Sequence, residues 1–436
     1  MPAQIQMILL VLCLVLQRSS IGAPAEVATK PEASRGAQAA LTVVTNFEGA
    51  SANVLALDPD TQTIRITPGG KVERGWPCWW YLRLKGIDVA RPLVVQVIAN
   101  TSVGSSEGGA KHQKLGADWS LPARAAISTN GVAWGQTPFG ERRGNEMSYR
   151  IQPEAPSLWL AWGPPFTLSD AWSFARDAVR DHSCAKYFML ARSLGNRPVP
   201  VLQVSEGDLP ASRRPVVWVM ARQHAWEVGG TWVGFGFAEW LLSEDKRAAR
   251  LRSQAEVFVV PVMDGDRVVT GDGGKESIPR DHNEDWSATA HYPEVAAVQQ
   301  RILASVKENR MALLIDLHNP NAKARDCQLW VTPTNYLSAL AAHNQERFIR
   351  AAIREIEAPM PIAGQLIWDG PGKEDRWQTA WHSLTCPWVY EHANPQTVAL
   401  TLEVPWNAPA STTSGYRSVG QGLGRAIELY LCETLP

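Results

Sequence analysis

Four side chains in this chain have the types and settings to hold and use a divalent metal. His224 and Glu227 stand three apart in Ala221-Arg222-Gln223-His224-Ala225-Trp226-Glu227. At that spacing the carboxylate can turn toward the same point as the imidazole, and zinc accepts such a mixed nitrogen and oxygen pair. Catalytic zinc usually takes three protein ligands and leaves one position open. His318, directly after the apolar run Met311–Leu317, offers a third ligand. Glu403, delivered by Val398–Leu402, offers a base. A buried strand-end carboxylate must be paired or titrate abnormally, so it is seldom there for packing. Each residue alone has a bland reading, as a surface pair at a helix start or a core histidine bonded to backbone. The ordered set is far more specific than any member.

The elements that must position these groups are legible as texture. Val216–Met220 reads as a buried strand, the ligand pair as a tight turn, and Val228–Leu242 as a helix. The carboxyl ends of strands line the crevice of an α/β fold, which is where such a turn presents chemistry. From Phe166 onward strands and helices alternate. Helices are expected at Ser169–Val179 (N-cap Ser169), Pro293–Lys307, Leu337–Ile356 and Gln421–Leu431. Strands are expected at Tyr187–Arg192, Val199–Val204, Val257–Val262, Met311–Leu317, Leu329–Thr332 and Val398–Val404. This is an α/β domain with a mixed sheet, spanning 166–436. Ahead of it, residues 40–165 carry short apolar runs between turn residues, among them Thr63–Ile66, Trp79–Leu84 and Leu93–Ile98, the texture of a β-sandwich.

Composition bounds the function. The chain has 436 residues, 45% hydrophobic and 19% charged, with a net charge of -1. That is ordinary for a globular protein and implies no basic face for nucleic acid. Met7–Leu16 is a short apolar block followed by Ala23-Pro24-Ala25, which reads as a signal peptide over 1–25, although no Lys or Arg precedes the block. Residues 26–39 read as a linker. The expectation is a secreted or periplasmic protein with no membrane span in the mature chain. Five cysteines remain after Cys13, scattered singly. They exclude a C-x-x-C metal site and leave room for one or two disulfides. Of the 19 tryptophans, Trp76, Trp79 and Trp80 cluster, either for core packing or for stacking on sugars.

His224-x-x-Glu227, His318 after an apolar strand, and Glu403 in Thr401-Leu402-Glu403 resemble the zinc metallocarboxypeptidase family. Arg222-Gln223-His224-x-x-Glu227, followed by Trp232 and Gly236, is most similar to its cytosolic-carboxypeptidase-like branch, which carries a β-sandwich ahead of the catalytic domain. The resemblance implies one zinc ion held by His224, Glu227 and His318, with Glu403 as general base. It implies that Asp281 orients the first histidine, fixing its tautomer, and that Asn283 holds the terminal carboxylate of a peptide or protein substrate.

The resemblance breaks at Asp281-His282-Asn283-Glu284, where the family reads Asp-x-Asn-Arg. Glu284 cannot make the two-pronged bond by which arginine holds a carboxylate. Lys275, in Gly273-Gly274-Lys275, or Arg280 could supply the charge, or both could be solvated loop residues. Alternatively Glu284 reads an amine on an unusual substrate. Trp226 stands where that branch often has Pro-Gly, and the family's tyrosine has only Tyr390 as an unsecured candidate. The expected function is hydrolysis of a C-terminal peptide bond by zinc-activated water. Its rivals are an amidohydrolase of cell-wall peptides and a non-catalytic zinc or peptide-binding protein that keeps the fold.

Overall fold

The computed structural model describes residues 40–102, 114–364, 367–368 and 380–432. The expected signal peptide and linker lie outside these residues. Ten short strands build the β region: β1 (Thr42–Val44), β2 (Asn53–Asp58), β3 (Thr63–Thr67), β4 (Tyr81–Lys85), β5 (Leu93–Ile98), β6 (Ala126–Ser128), β7 (Gly135–Gln136), β8 (Glu141–Arg143), β9 (Glu146–Ile151) and β10 (Ser157–Ala161). They form two five-stranded sheets, ordered β1-β4-β10-β6-β7 and β2-β3-β5-β9-β8. Alternation explains why the sheets face each other. In β5 the residues Leu93, Val95 and Val97 are buried while their neighbours are half-buried, so one face turns to a core shared with Leu82, Leu84, Leu158 and Leu160. Trp79 and Trp80 belong to that core, each giving its indole N–H to a backbone carbonyl, Gly49 at 2.9 Å and Ser120 at 2.9 Å. Trp76 instead reaches the cleft described below.

The α/β region is an eight-stranded mixed sheet: β11 (Ala185–Arg192), β12 (Pro198–Val204), β13 (Val216–Ala221), β14 (Glu256–Val260), β15 (Met311–His318), β16 (Gln328–Val331), β17 (Ile367–Trp368) and β18 (Val398–Glu403). The order is β11-β12-β14-β13-β15-β18-β16-β17. The central four strands run parallel, while β12 and β16 flank them antiparallel. Every residue of β13 is buried, as expected of a parallel strand covered on both faces. Parallel pairing sets Ala221 beside Leu317 and His318 beside Glu403, so three strands end at one level.

Several expectations change in detail. Helix Leu168–Asp181 is capped by Thr167, not Ser169, because Thr167 and Asp170 close a reciprocal capping box. The closing helix begins at Thr413 rather than Gln421. Gly420, inside this helix, is a contact surface: a Cβ there would collide with the Val233 carbonyl of helix Val228–Leu242. The five described cysteines are all free. No described helix is long and apolar enough to cross a membrane.

The β and α/β regions share a core in which Trp226 and Val228 pack with Trp79 and Trp162. A backbone knot reinforces it. Trp226 N–H donates to Gly273 O at 3.0 Å, Trp76 N–H to Lys275 O at 3.0 Å, and Gly274 N–H to Arg74 O at 3.0 Å. Gly273 has no room for a Cβ against the Trp76 carbonyl, and Gly274 sits at φ +84° against Ala225 N. The Gly-Gly pair therefore lets the loop carrying Lys275 thread between the β region and the ligand turn.

Candidate metal centre

His224 and Glu227 occupy the turn between β13 and helix Val228–Leu242, and His318 is the last residue of β15. All three are buried. Their donor atoms lie within 4.8 Å of one another. His224 Nδ1 is 2.9 Å from Glu227 Oε1, His318 Nδ1 is 2.6 Å from Glu227 Oε2, and the two Nδ1 atoms are 3.2 Å apart. Behind each imidazole stands a second carboxylate. His318 Nε2 is 2.9 Å from Asp316 Oδ2, and His224 Nε2 is 3.4 Å from Asp281 Oδ2.

This arrangement fits zinc. A carboxylate behind each ring favours the proton on Nε2 and turns the Nδ1 lone pair inward, as in carboxylate–histidine–zinc triads. Two inward lone pairs and a carboxylate would then repel unless a cation lies among them. Electrostatics point the same way. Burial opposes charging His224 and His318, yet Glu227, Asp281 and Asp316 outweigh it and raise both above the ordinary histidine value. Burial likewise opposes ionisation of Glu227, but the two imidazoles pull it down to about 2. The pocket seeks positive charge.

Glu403 ends β18 beside His318 and lines the same cleft of about 480 Å³. Its Oε2 is buried without a hydrogen-bond partner. Burial first, and then the charge of Glu227, push its carboxyl up to about 7. A group in that range can both take and return a proton near neutrality.

The expected substrate-binding residues divide. Asn283 and Lys275 line the cleft, together with Trp76, Trp330, Leu384 and Thr401. Arg280 and Glu284 are not among its lining residues. The Arg280 guanidinium is drawn to Asp285 at 3.6 Å, and Glu284 N–H closes a turn on Asp281 Oδ1 at 3.0 Å. Tyr390 also lies away from the cleft, donating to Gln345 Oε1 at 3.0 Å. Asp316, which sequence reasoning passed over, carried a usable signal. In Asp316-Leu317-His318 on a strand, alternate residues share a face.

Comparison with known proteins agrees with this geometry. A family model described as zinc carboxypeptidase matches residues 173–269. Cytosolic carboxypeptidase 2 of Danio rerio is 27% identical over 178 residues, covering 39% of this chain and 25% of that protein. Cytosolic carboxypeptidase 3 of Mus musculus is 26% identical over 183 residues, covering 40% and 18%. The chain thus corresponds to a quarter or less of the length of these relatives. Among solved structures, a metallo-carboxypeptidase from Burkholderia cenocepacia aligns with a TM-score of 0.73 at 21% identity, covering 91% of this chain and 100% of that one. A metallo-carboxypeptidase from Pseudomonas aeruginosa aligns with a TM-score of 0.71 at 18% identity, covering 90% and 99%. The fold is that of the zinc carboxypeptidase family: a mixed α/β domain preceded by a sandwich-like β region. His224, Glu227 and His318 form its candidate zinc site.

Proposed function

We propose that this chain is a zinc-dependent carboxypeptidase of the cytosolic-carboxypeptidase-like branch, hydrolysing the last amide bond of a peptide or protein. The observation that carries the reading is the meeting of His224, Glu227 and His318 around one point, with Glu403 at the neighbouring strand end. Zinc, when bound by the three ligands, supplies Lewis acidity for amide hydrolysis. Glu403 takes the proton of the attacking water and returns it to the leaving amine. Asp316 and Asp281 hold the two imidazoles in the tautomer that turns Nδ1 inward. Asn283 and Lys275 receive the substrate's terminal carboxylate, since Glu284 cannot. The division into a domain over 40–165 that helps wall the cleft and a catalytic domain over 166–436 is part of the same reading. So is export, which rests on Met7–Leu16 and Ala23-Pro24-Ala25.

The decisive experiment measures zinc content and hydrolysis of a panel of C-terminally varied peptides for wild type and Glu403→Gln. The expected outcome is stoichiometric zinc in both and turnover only in wild type. Bound zinc with no hydrolysis of any peptide by wild type would leave a peptide-binding protein instead.

A further inference from the structure

A buried hydrogen-bond chain runs from the metal ligand His318 to the cleft residue Asn283. His318 Nε2 faces Asp316 Oδ2 at 2.9 Å, and Gln223 Nε2 donates to the same oxygen at 2.5 Å. Gln223 Nε2 also donates to Thr385 Oγ1 at 2.8 Å. Thr385 Oγ1 in turn donates to Asn283 Oδ1 at 2.7 Å, and the Thr385 backbone N–H points at that oxygen from 3.4 Å. Trp286 Nε1 closes the far side by donating to Gln223 Oε1 at 2.9 Å. Gln223, Asp316, Trp286 and Thr385 are all buried.

The direction of every bond in this chain is determined. An indole N–H can only donate, so the atom of Gln223 facing Trp286 is its oxygen. Its NH₂ must then face Asp316 and Thr385, and the acceptor-only carboxylate of Asp316 requires the same orientation. With its oxygen accepting from Gln223, the Thr385 hydroxyl has its proton free for Asn283. The Thr385 backbone N–H, again a pure donor, also demands an oxygen there. Asn283 is thereby locked with Oδ1 inward. Its NH₂ is the end left for the cleft, and no described residue accepts from it.

We propose that Thr385 and Gln223 are positioning residues that fix the Asn283 amide with its NH₂ toward the cleft and its oxygen turned away, so that the amide offers a donor that an acceptor-only carboxylate satisfies and no acceptor for the NH₂ of a neutral carboxamide. The inference rests on the carboxypeptidase reading and deepens it. Where the family's arginine is replaced by Glu284, recognition of the chain end falls to Lys275 and to a neutral amide whose polarity is set from behind. The chain also explains why β15, the ligand turn and helix Thr385–His392 are tied together beneath the cleft, since each contributes one link.

The test compares binding of N-acetyl amino acids, as product mimics, with binding of the corresponding N-acetyl amino acid amides. Calorimetry on zinc-loaded, full-length wild type, Thr385→Ser and Thr385→Val supplies the affinities. Peptide hydrolysis and zinc content are followed in parallel. Wild type and Thr385→Ser are expected to prefer the acid. In Thr385→Val that preference falls about 10- to 100-fold, the scale of a hydrogen bond to a charged group, with KM rising more than kcat falls and zinc content unchanged. A merely structural role for Thr385 would weaken acid and amide alike and leave their ratio intact. The proposal is overturned if Thr385→Val keeps the wild-type ratio, if Thr385→Ser loses it equally, or if wild type shows no preference. Should Thr385→Val not fold, Thr385→Ala removes the hydroxyl without adding a methyl group and is judged by the same ratio. If wild type prefers the acid yet hydrolyses no peptide, the functional reading fails while the orientation of Asn283 stands.

Discussion

The two ends of the cleft are built on opposite principles. At the reactive end, Glu227, Asp281, Asp316 and Glu403 crowd two histidines, and burial leaves them little water to share. Charge is concentrated there until only a cation reconciles it. At the other end the side chains around Asn283, including Thr401, Leu384 and Cys386, are neutral. Polarity there comes from hydrogen bonds oriented through Thr385 and Gln223. On the proposed reading the chemistry resides in a few strongly interacting groups, while Asn283 adds to the charge of Lys275 a recognition that depends on the direction of dipoles. Single substitutions should therefore act abruptly at the first end and by degrees at the second.

The largest effect is expected at the ligands themselves. His318→Ala should abolish stoichiometric zinc and, with it, peptide hydrolysis. Stripping the wild type with a chelator should lower its thermal stability, because a metal that binds only the folded state adds on the order of 4 kcal/mol at about a thousandfold its Kd. Melting curves with and without added zinc check this. An unchanged melting temperature would mean that the cluster holds no metal of consequence. Next comes Glu403→Gln, expected to lower kcat by about 10²- to 10⁴-fold, the range of general acid–base catalysis, with zinc retained.

The supporting carboxylates sharpen the comparison within the reactive end. Asp316 meets its histidine at 2.9 Å and Asp281 at 3.4 Å, where His224 Nε2 lacks a well-formed hydrogen bond. Replacing such a partner typically costs about 10- to 100-fold in metal affinity. Asp316→Asn should fall toward the upper part of that range and Asp281→Asn toward the lower, as measured by zinc competition with a chromophoric chelator. The reverse order would show that the longer contact tightens once metal is bound.

How much of this was legible in the sequence follows the same division. His224, Glu227, His318 and Glu403 stand out because strong chemistry needs particular residue types at strand ends, and apolar strands such as Met311–Leu317 are easy to read. Asp316 needed only the alternation of a strand. Thr385 carried no signal, and Gln223 stood out only as part of the ligand motif, with nothing to indicate its partner. They meet across 162 residues of sequence, and their role lies in the direction of a bond rather than in a charge or a spacing. Helix Thr385–His392 was missed because Pro387 reads as a breaker, although proline is tolerated in a first turn whose N–H groups lack helical partners. In the β region, β7 and β8 escaped because two- and three-residue strands leave no periodicity to detect.

The smallest effect is expected where the sequence raised the sharpest alarm. Glu284 replaces the arginine on which carboxylate recognition would depend, so its reversal by Glu284→Arg is the obvious way to restore a lost contact. The structure argues otherwise. The turn closed by Glu284 N–H on Asp281 Oδ1 sets position 284 outside the cleft lining, while Asn283, one residue earlier, lies inside it. A guanidinium added at 284 then starts from outside the cleft lining, and Asn283 and Lys275 still hold the carboxylate. Glu284→Gln should leave kcat and KM within about twofold, the usual reach of a substitution at a residue that does not line the site. Glu284→Arg should do little more. An improvement of tenfold or greater in KM for ordinary C-terminal peptides would show that the turn at 281–285 rearranges on binding. It would also show that the carboxylate end can use charge beyond that of Lys275.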